Sequence, residues 1–272
     1  MKNFFLLTLA LCLCTLSCRY PSQPNKEYYD YPQIKDSGVL VALTLNSSIS
    51  YFDYRGEPMG FQYELAKQFA ESQGLKLKIK TAQSTYELVH KLLQGEGDFI
   101  AYPLPVTKEF KDSVAFCGED IITHQVLVQR NGKNSKPITD VTELIGKEVY
   151  VKPGKHLQRL INLDKELGGG ILIHEVTDDN ISIEDLIAKV ANGEINYAVC
   201  DNDLARLNKT YYPQLNINLA ISFDQRASWA VRKTSPLLGE VADLWHKENV
   251  TSPAYRASAK RYFENSKRTA HG

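Results

Sequence analysis

The side chains that could bind a metal or act as a nucleophile are few, and their spacing predicts no catalytic site. The chain has six histidines and five cysteines. The histidines lack metal-ligand spacing and the cysteines form no CxxC pair. Nucleophile-elbow, P-loop and dinucleotide-binding motifs are also missing from the sequence. The sequence therefore predicts neither a metal nor a cofactor, and it leaves acid–base chemistry by paired carboxylates open.

Four aromatic side chains suit a cleft that holds a sugar ring or a peptide. Tyr51, Phe52, Tyr102 and Trp229 would offer flat apolar faces, while the edge hydroxyls or amides of a ligand find polar partners. The competing interpretation for each of them is ordinary packing in a core.

A strand–helix–strand unit is the first element that would position such side chains. Residues 38–43 are a short apolar run typical of a buried strand, and residues 61–70 carry an apolar stripe at helical spacing. Gly74 predicts the end of this helix, and residues 75–79 then alternate as a strand does. The loop 44–58 would lie at the carboxyl end of a parallel strand, where open α/β sheets bind ligands.

A second helix–strand pattern occurs twice. Residues 86–101 and 184–199 share it, with Gly95 in register with Gly193. Two copies are too few for a solenoid. They favour two α/β lobes of similar build with a cleft between them.

The overall composition is that of an ordinary globular protein. Of its 272 residues 43% are hydrophobic and 24% charged, and Lys plus Arg equal Asp plus Glu at 32 each. This balance does not favour nucleic acid as a partner.

The N-terminus predicts export. A cationic start precedes an apolar run, residues 4–16, that is too short to span a bilayer and is typical of a secretory signal. We expect a signal peptide over 1–17, lipidation of Cys18 as in bacterial lipoproteins, and a flexible tether over 18–36. Cys14 is a weaker lipidation site, and plain secretion without lipidation is the alternative.

Only two cysteines then belong to the globular part. An exported pair such as Cys117 and Cys200 could form a disulfide, but two isolated buried thiols are the alternative. The sequence leaves the choice open.

Short motifs along residues 38–263 resemble those of the type 3 extracellular solute-binding proteins. These motifs are Tyr51-Phe52-Asp53-Tyr54, Gly60-Phe61, Glu64-Leu65-Ala66, 93–98, Thr107-Lys108-Glu109, Gly146-Lys147 and 197–201. The resemblance implies a two-lobed α/β periplasmic-binding-protein fold of type II, each lobe a mixed sheet flanked by helices. Lobe 1 would comprise 37–124 and 227–272, and lobe 2 would comprise 125–226.

Within that family, the chain is most similar to the N-terminal, non-catalytic domain of membrane-bound lytic transglycosylases F. The similar segments are residues 63–70 and 212–215. Those enzymes cut glycan strands with a separate C-terminal domain, which we do not expect here. The resemblance therefore implies binding without catalysis, and no catalytic residue is carried over.

The chain departs from the amino-acid binders of the family where they clamp a ligand carboxylate. Phe110 stands in place of their Arg, and Pro103-Leu104-Pro105 replaces a Gly-x-Thr ahead of Thr107. In lobe 2, Lys155 and His156 replace a Ser or Thr, whereas Asp201 keeps the position that binds a ligand amine. The alternative for Asp201 is a helix cap. The resemblance thus argues against a free α-amino acid bound in the usual way.

These observations predict a periplasmic lipoprotein, anchored in the outer membrane, that binds a cell-wall fragment or peptide between its lobes. The expected ligand-binding residues are Tyr51, Phe52, Tyr102, Leu104, Thr107, Lys155, His156, Asp201 and Trp229. The alternative is the capture subunit of an ABC importer for an amino-acid-like solute. A transglycosylase or an ABC permease would be the protein partner. A dehydratase of the same fold is a minor hypothesis, for which no carboxylate clamp is evident near lobe 1.

Overall fold

The structure is a computed structural model that describes residues 29–132 and 136–264. The predicted signal peptide, Cys18 and residues 18–28 of the predicted tether lie outside the described residues. Between Asp30 and Gly38 the tether prediction is wrong, because Tyr31–Ser37 is a helix whose Ile34 is fully buried. Pro32 lies in the first turn of this helix, where proline is favoured.

The chain alternates between strands and helices. In order it forms α1 (Tyr31–Ser37), β1 (Val39–Leu45), β2 (Phe52–Tyr54), β3 (Glu57–Met59), α2 (Phe61–Ser72), β4 (Lys76–Ala82), α3 (Thr85–Leu93), β5 (Phe99–Pro105), α4 (Lys108–Ser113), β6 (Val114–Thr123), β7 (Gln125–Arg130), a 3-10 turn (Val141–Leu144), β8 (Glu148–Val151), α5 (Lys155–Glu166), β9 (Leu172–Glu175), α6 (Ile183–Asn192), β10 (Ala198–Asp201), α7 (Asn202–Tyr211), β11 (Leu215–Asn216), β12 (Gln225–Arg232), α8 (Pro236–Asn249) and α9 (Pro253–Phe263).

Lobe 1 is built on a five-stranded sheet in the order β4-β1-β5-β12-β6. Strand β1 pairs in parallel with β4 and β5, whereas β12 pairs antiparallel with β5 and β6. The predicted unit of strand, helix, glycine and strand is present. Gly74 has φ 65°, and its N–H bonds to the carbonyl of Glu71 at the end of α2.

Lobe 2 is a second five-stranded sheet, in the order β11-β7-β10-β8-β9. Strand β10 is parallel to β8 and antiparallel to β7. Both lobes are therefore mixed sheets flanked by helices, which confirms the predicted fold class.

Two short crossings connect the lobes. The chain leaves the first sheet at Thr123 and enters the second at Gln125, and it returns between Asn216 and Gln225. The predicted return point, between residues 226 and 227, falls inside β12 rather than before it. The carboxyl ends of β5 and β10, the amino end of β7 and both crossings consequently meet between the lobes.

Contacts between the lobes also form away from the crossings. Ile49 of lobe 1 is 8% exposed and belongs to the same apolar cluster as Ile187 and Leu204 of lobe 2. The Ser48 hydroxyl donates a hydrogen bond to Glu184, the second residue of α6. At the end of α9, the Phe263 ring lies 4.9 Å from the Arg206 guanidinium of α7. The structure is thus a closed arrangement of the lobes.

Candidate functional site

A cavity of about 390 Å³ lies between the lobes. Its wall from lobe 1 comes from the first turn of α3 and from the segment between β5 and α4. Lobe 2 and the crossings supply the opposite wall and the floor. The lining residues are Thr85, Tyr86, Pro105, Thr107, Glu109, Phe110, Thr123, His124, Gln125, Lys155, Asp201, Ser222, Phe223, Asp224 and Gln225.

A charged network marks the lobe 2 side of this cavity. Asp201 ends β10 and is the N-cap residue of α7, yet its side chain makes no capping hydrogen bond. Its Oδ2 instead accepts from Lys155 Nζ at 2.7 Å, and its Oδ1 lies 3.1 Å from His156 Nε2. Lys155 and His156 both lie in the first turn of α5, and together they stabilise the carboxylate of Asp201 at the start of α7.

The carboxyls of Asp201 and Asp203 have opposite pKa shifts. Burial opposes ionisation of Asp201, but the hydrogen bond to His156 and the charge of Lys155 outweigh it, so its pKa lies well below the usual range. Burial and the negative charge of Asp201 raise the pKa of Asp203 to about 6. Burial and these two carboxylates raise the pKa of the Tyr102 hydroxyl well above its usual value. Asp201 is thus a permanently ionised group at the cavity.

The lobe 1 side of the cavity is aromatic, and none of the residues that line it there carries a positive charge. The rings of Tyr86 and Phe110 lie 5.4 Å apart. The Tyr86 hydroxyl donates to Glu109 Oε2 at 3.2 Å. Thr107 caps α4, because its hydroxyl accepts from the Phe110 N–H at 3.3 Å. This wall offers an apolar face with a carboxylate at its edge, and no arginine lines it within the described chain.

The crossings contribute a further aromatic and an amide. Phe223 is 90% exposed beside the cavity, an unusual position for a phenyl ring. Gln125 begins β7, and its backbone N–H donates to Ser222 Oγ at 2.8 Å. His124 Nδ1 lies 3.4 Å from Asp224 Oδ1. The floor of the cavity therefore combines a histidine–aspartate contact with one apolar face.

The structure brings together part of the predicted site. Thr107, Lys155 and Asp201 line the cavity, and His156 touches it through Asp201. Tyr102 is close enough for the charge of Asp201 to act on its pKa.

The predictions for Leu104 and Trp229 are wrong with respect to their side chains. Leu104 is fully buried in the lobe 1 core. Trp229 is 4% exposed, packs against Phe69 and Trp245, and donates its indole N–H to Gln62 Oε1 at 2.8 Å. Both residues lie on strands that are central in the sheet, so their side chains point into the core on one face or the other.

Tyr51 and Phe52 do not line this cavity either. Tyr51 packs edge-on against Tyr63 with ring centroids 5.6 Å apart. Phe52 packs against the apolar cluster that carries Ile49 and the lobe 2 helices. Phe52 thus lies at the contact between the lobes, whereas Tyr51 packs within lobe 1.

Sequence reasoning missed Tyr86, Glu109, Gln125 and Phe223. A signal for Tyr86 was present, since it follows Ser84, which caps α3 at the carboxyl end of β4. Phe223 follows Ser222 in the return crossing, a polar segment in which an isolated phenylalanine has no core-forming partners in sequence. Their meeting at one cavity depends on how the lobes close, and neither lobe's pattern contains that information.

The described residues contain no metal-binding group, no helix that could span a membrane and no disulfide. Within 29–132 and 136–264, no group of three or more His, Cys, Asp or Glu could hold a metal ion. No helix in these ranges has both the length and the apolar composition needed to cross a bilayer. Cys117 and Cys200 are free and buried, in different lobes, and the disulfide left open from the sequence is not formed.

Two mixed α/β lobes, joined by two crossings and enclosing a polar cavity, define a two-lobed solute-binding protein. Residues 40–265 match the family described as bacterial extracellular solute-binding proteins, family 3. The chain belongs to this family, which confirms the resemblance seen in its motifs.

The curated relatives that this chain matches are named for a larger enzyme. The chain is 34% identical over 213 residues to the membrane-bound lytic murein transglycosylase F of Desulfosudis oleivorans, covering 76% of this chain and 46% of that protein. It is 30% identical over 234 residues to that of Pseudomonas fluorescens, covering 85% and 47%. The chain spans about half the length of the curated relatives it matches.

Solved structures show the same architecture. Holo ArgBP from T. maritima is 28% identical, with a TM-score of 0.61 over 86% of this chain and 99% of that one. The substrate-binding protein AbpA of an amino acid ABC transporter from Streptococcus pneumoniae, bound to L-arginine, is 19% identical, with a TM-score of 0.67 over 87% and 99%. At that identity the second comparison concerns the fold alone.

Proposed function

We propose that this protein binds a cell-wall fragment or peptide between its lobes, as a binding module without catalysis. The observation that carries the proposal is the interlobe cavity, where the Lys155–Asp201 pair faces the aromatic wall of Tyr86 and Phe110. A ligand with a ring or an apolar side chain and several amide groups matches both walls. The relatives named lytic murein transglycosylase F make the cell wall the natural source of such a ligand.

The second candidate is the capture subunit of an ABC importer for an amino-acid-like solute. The likeness to ArgBP favours it. Two features of the cavity weigh against it. Phe110 offers no charge to a ligand carboxylate, and the Lys155 ammonium already occupies the Asp201 carboxylate.

The proposal includes the place of the protein in the cell. A lipid at Cys18 would anchor it to the periplasmic face of the outer membrane, with a transglycosylase as its partner. For an importer, the partner would be a permease. We propose no nucleic-acid partner, because the charges of the chain balance.

A thermal-shift screen of the purified protein tests this function. The compounds are free amino acids, muropeptides and anhydro-sugar fragments, at concentrations far above the expected Kd. A ligand at a hundred times its Kd stabilises the folded state by about 2.7 kcal/mol. We expect wall fragments to raise the Tm and free amino acids to leave it unchanged.

Two variants assign the effect to the cavity. Asp201→Ala should abolish the shift. Asp179→Ala removes an exposed aspartate of the same lobe outside the cavity and should retain it. A shift with free amino acids alone would favour import, and the absence of any shift would refute binding of either class.

A further inference from the structure

Lys155 fills the position at Asp201 that a ligand amine would take. Its Nζ lies 2.7 Å from Asp201 Oδ2, and both residues line the interlobe cavity. The Lys155 side chain is 45% exposed, whereas that of Asp201 is 18% exposed. An incoming ammonium would therefore have to break an existing ion pair and approach a second positive charge. One Lys155 hydrogen is used by Asp201, and the other two are available to an acceptor on a ligand.

Gln125 lies beside this pair and has an unsatisfied acceptor. It is the direct partner of Asp201 in the antiparallel pairing of β7 with β10, so the two side chains project from the same face of the sheet. The Gln125 backbone is satisfied, since its N–H donates to Ser222 and its carbonyl accepts from Ile221. Its side-chain Oε1 is buried and has no hydrogen-bond partner among the described residues.

A buried amide oxygen without a donor destabilises the folded protein, and a ligand N–H at Gln125 would supply the missing donor. Gln125 and Lys155 both neighbour Asp201: one carries a buried acceptor without a partner, and the other carries a charged donor. One residue of an extended peptide presents its N–H and its carbonyl on the same side. This donor and this acceptor on the ligand match Gln125 and Lys155 only if the ligand nitrogen is an uncharged amide.

We propose that the cleft selects peptides whose amino group is acylated, with the ligand carbonyl accepting from Lys155 and the amide N–H donating to Gln125. Lys155 is the specificity-determining residue, because it neutralises Asp201 from within the chain and repels a free amine. This inference rests on the proposed function and narrows its ligand class to amide-linked peptides. A sugar acid or an acetyl group would serve equally as the acyl group.

Three matched compounds test the selection by isothermal titration near neutral pH. Muramyl dipeptide and N-acetyl-L-alanyl-D-isoglutamine both carry an acylated alanine, and L-alanyl-D-isoglutamine carries the free amine. We expect both acylated compounds to bind at least about tenfold more tightly than the free dipeptide, the lower end of what hydrogen bonds to charged groups contribute.

Variants then assign the preference. Lys155→Met frees Asp201 Oδ2 for the amine of the free dipeptide. This variant should bind the free dipeptide more tightly than the unmodified protein does, and more tightly than it binds the acylated compounds. Gln125→Leu should weaken both acylated compounds about tenfold. Lys152→Met makes the same charge change on an adjacent lysine outside the cavity and should change nothing. If the Lys155→Met variant is unstable, Lys155→Gln removes the charge while keeping a donor.

The outcomes separate the two levels of the proposal. If all three dipeptides bind equally, or if Lys155→Met keeps the preference for acylated compounds, the inference is wrong while the binding of wall-derived peptides stands. If the unmodified protein prefers the free dipeptide, the role of Lys155 is refuted. If none of the compounds binds, the proposed function fails together with the inference.

Discussion

At the scale of single residues, two carboxyls close in sequence have different environments, and the first of them lines the cavity. Asp201 is held ionised by Lys155 and His156, whereas burial and the charge of Asp201 raise the pKa of Asp203 to about 6. The folded protein therefore binds more protons than the unfolded chain between about pH 4 and pH 6, since an unperturbed aspartate has a pKa of about 3.9. This contribution to stability is present below the unfolded pKa and is lost as pH rises through the folded pKa.

The first prediction concerns Asp203→Asn, which removes this titration but keeps an oxygen that can accept from the Leu204 N–H. At neutral pH the variant should be more stable than the unmodified protein, by an amount on the order of 1 kcal/mol. The gain should shrink as pH falls toward about 5, because Asp203 is then protonated. Urea unfolding at several pH values measures it. A gain that is the same at every pH would show that Asp203 does not titrate as described.

A second prediction tests the corrected position of Trp229. Trp229→Phe removes the indole N–H and leaves Gln62 Oε1 without its donor in the lobe 1 core. The free energy of unfolding should fall by about 1–3 kcal/mol. The Kd for a cleft ligand should stay unchanged, because the side chain does not line the cavity. Denaturant unfolding measures the stability, and calorimetry on the same preparation measures the Kd. Weaker ligand binding by the folded variant would show that Trp229 does contribute to the site.

Position along the chain was enough to predict that three of the expected residues lie at the cleft. Thr107, Lys155 and Asp201 each follow a strand at its carboxyl end or begin the next helix, and all three line the cavity. The prediction that the side chains of Leu104 and Trp229 lie at the cleft is wrong, because a cleft side chain and a core side chain look the same in the sequence. Only the strand order, with β5 and β12 central, decides that these side chains are buried.

At the scale of elements, Asp30 connects helix α1 with helix α8, which is distant in sequence. Asp30 accepts from the Tyr31 N–H at 2.7 Å as the N-cap of α1. The same carboxylate accepts from the N–H groups of Leu237 and Leu238 at the start of α8, at 3.0 and 2.9 Å. A single carboxylate thus caps two helices, and its negative charge favours both N-termini.

The third prediction follows from this shared cap. Asp30→Ala should lower the free energy of unfolding by about 1–2 kcal/mol or more, since each lost cap costs roughly that much. Asp36→Ala, an exposed aspartate on the same helix, is the control and should have little effect. Urea titration followed by circular dichroism gives both values. Equal stability of the two variants would contradict the double cap.

The elements themselves were largely predictable because their signals are local. The apolar stripe of α2, the glycine that follows it and the alternation of β4 lie within one stretch of chain. Helix α1 was missed because its only buried apolar side chain is Ile34, and one buried position gives no periodicity. Its stability comes from Asp30 and from distant residues of α2 and α8.

At the scale of the whole molecule, the interlobe cavity exists only when the lobes meet. Ile49 of lobe 1 is buried against the lobe 2 cluster, and burial of an isoleucine contributes about 1.5–3 kcal/mol. Such a contact biases the molecule toward closure, and a ligand that touches both walls adds to the same bias.

The fourth prediction is that Ile49→Ala shifts the ligand-free protein toward an open arrangement. Its radius of gyration by small-angle X-ray scattering should rise, and its Kd for a cleft ligand should weaken about tenfold as part of the binding energy is used to close the lobes. Leu244→Ala, which truncates a side chain that is 56% exposed on α8, is the control. An unchanged radius and Kd for Ile49→Ala would show that the contact does not control closure.

The measurement that tests the central claim most directly is a crystal structure of the protein grown with muramyl dipeptide. We expect the ligand in the interlobe cavity, with its alanine carbonyl within hydrogen-bond distance of Lys155 Nζ, its amide N–H toward Gln125, and the Lys155–Asp201 pair intact. An interlobe cavity that stays empty at saturating ligand, or a ligand bound elsewhere on the molecule, would contradict the account.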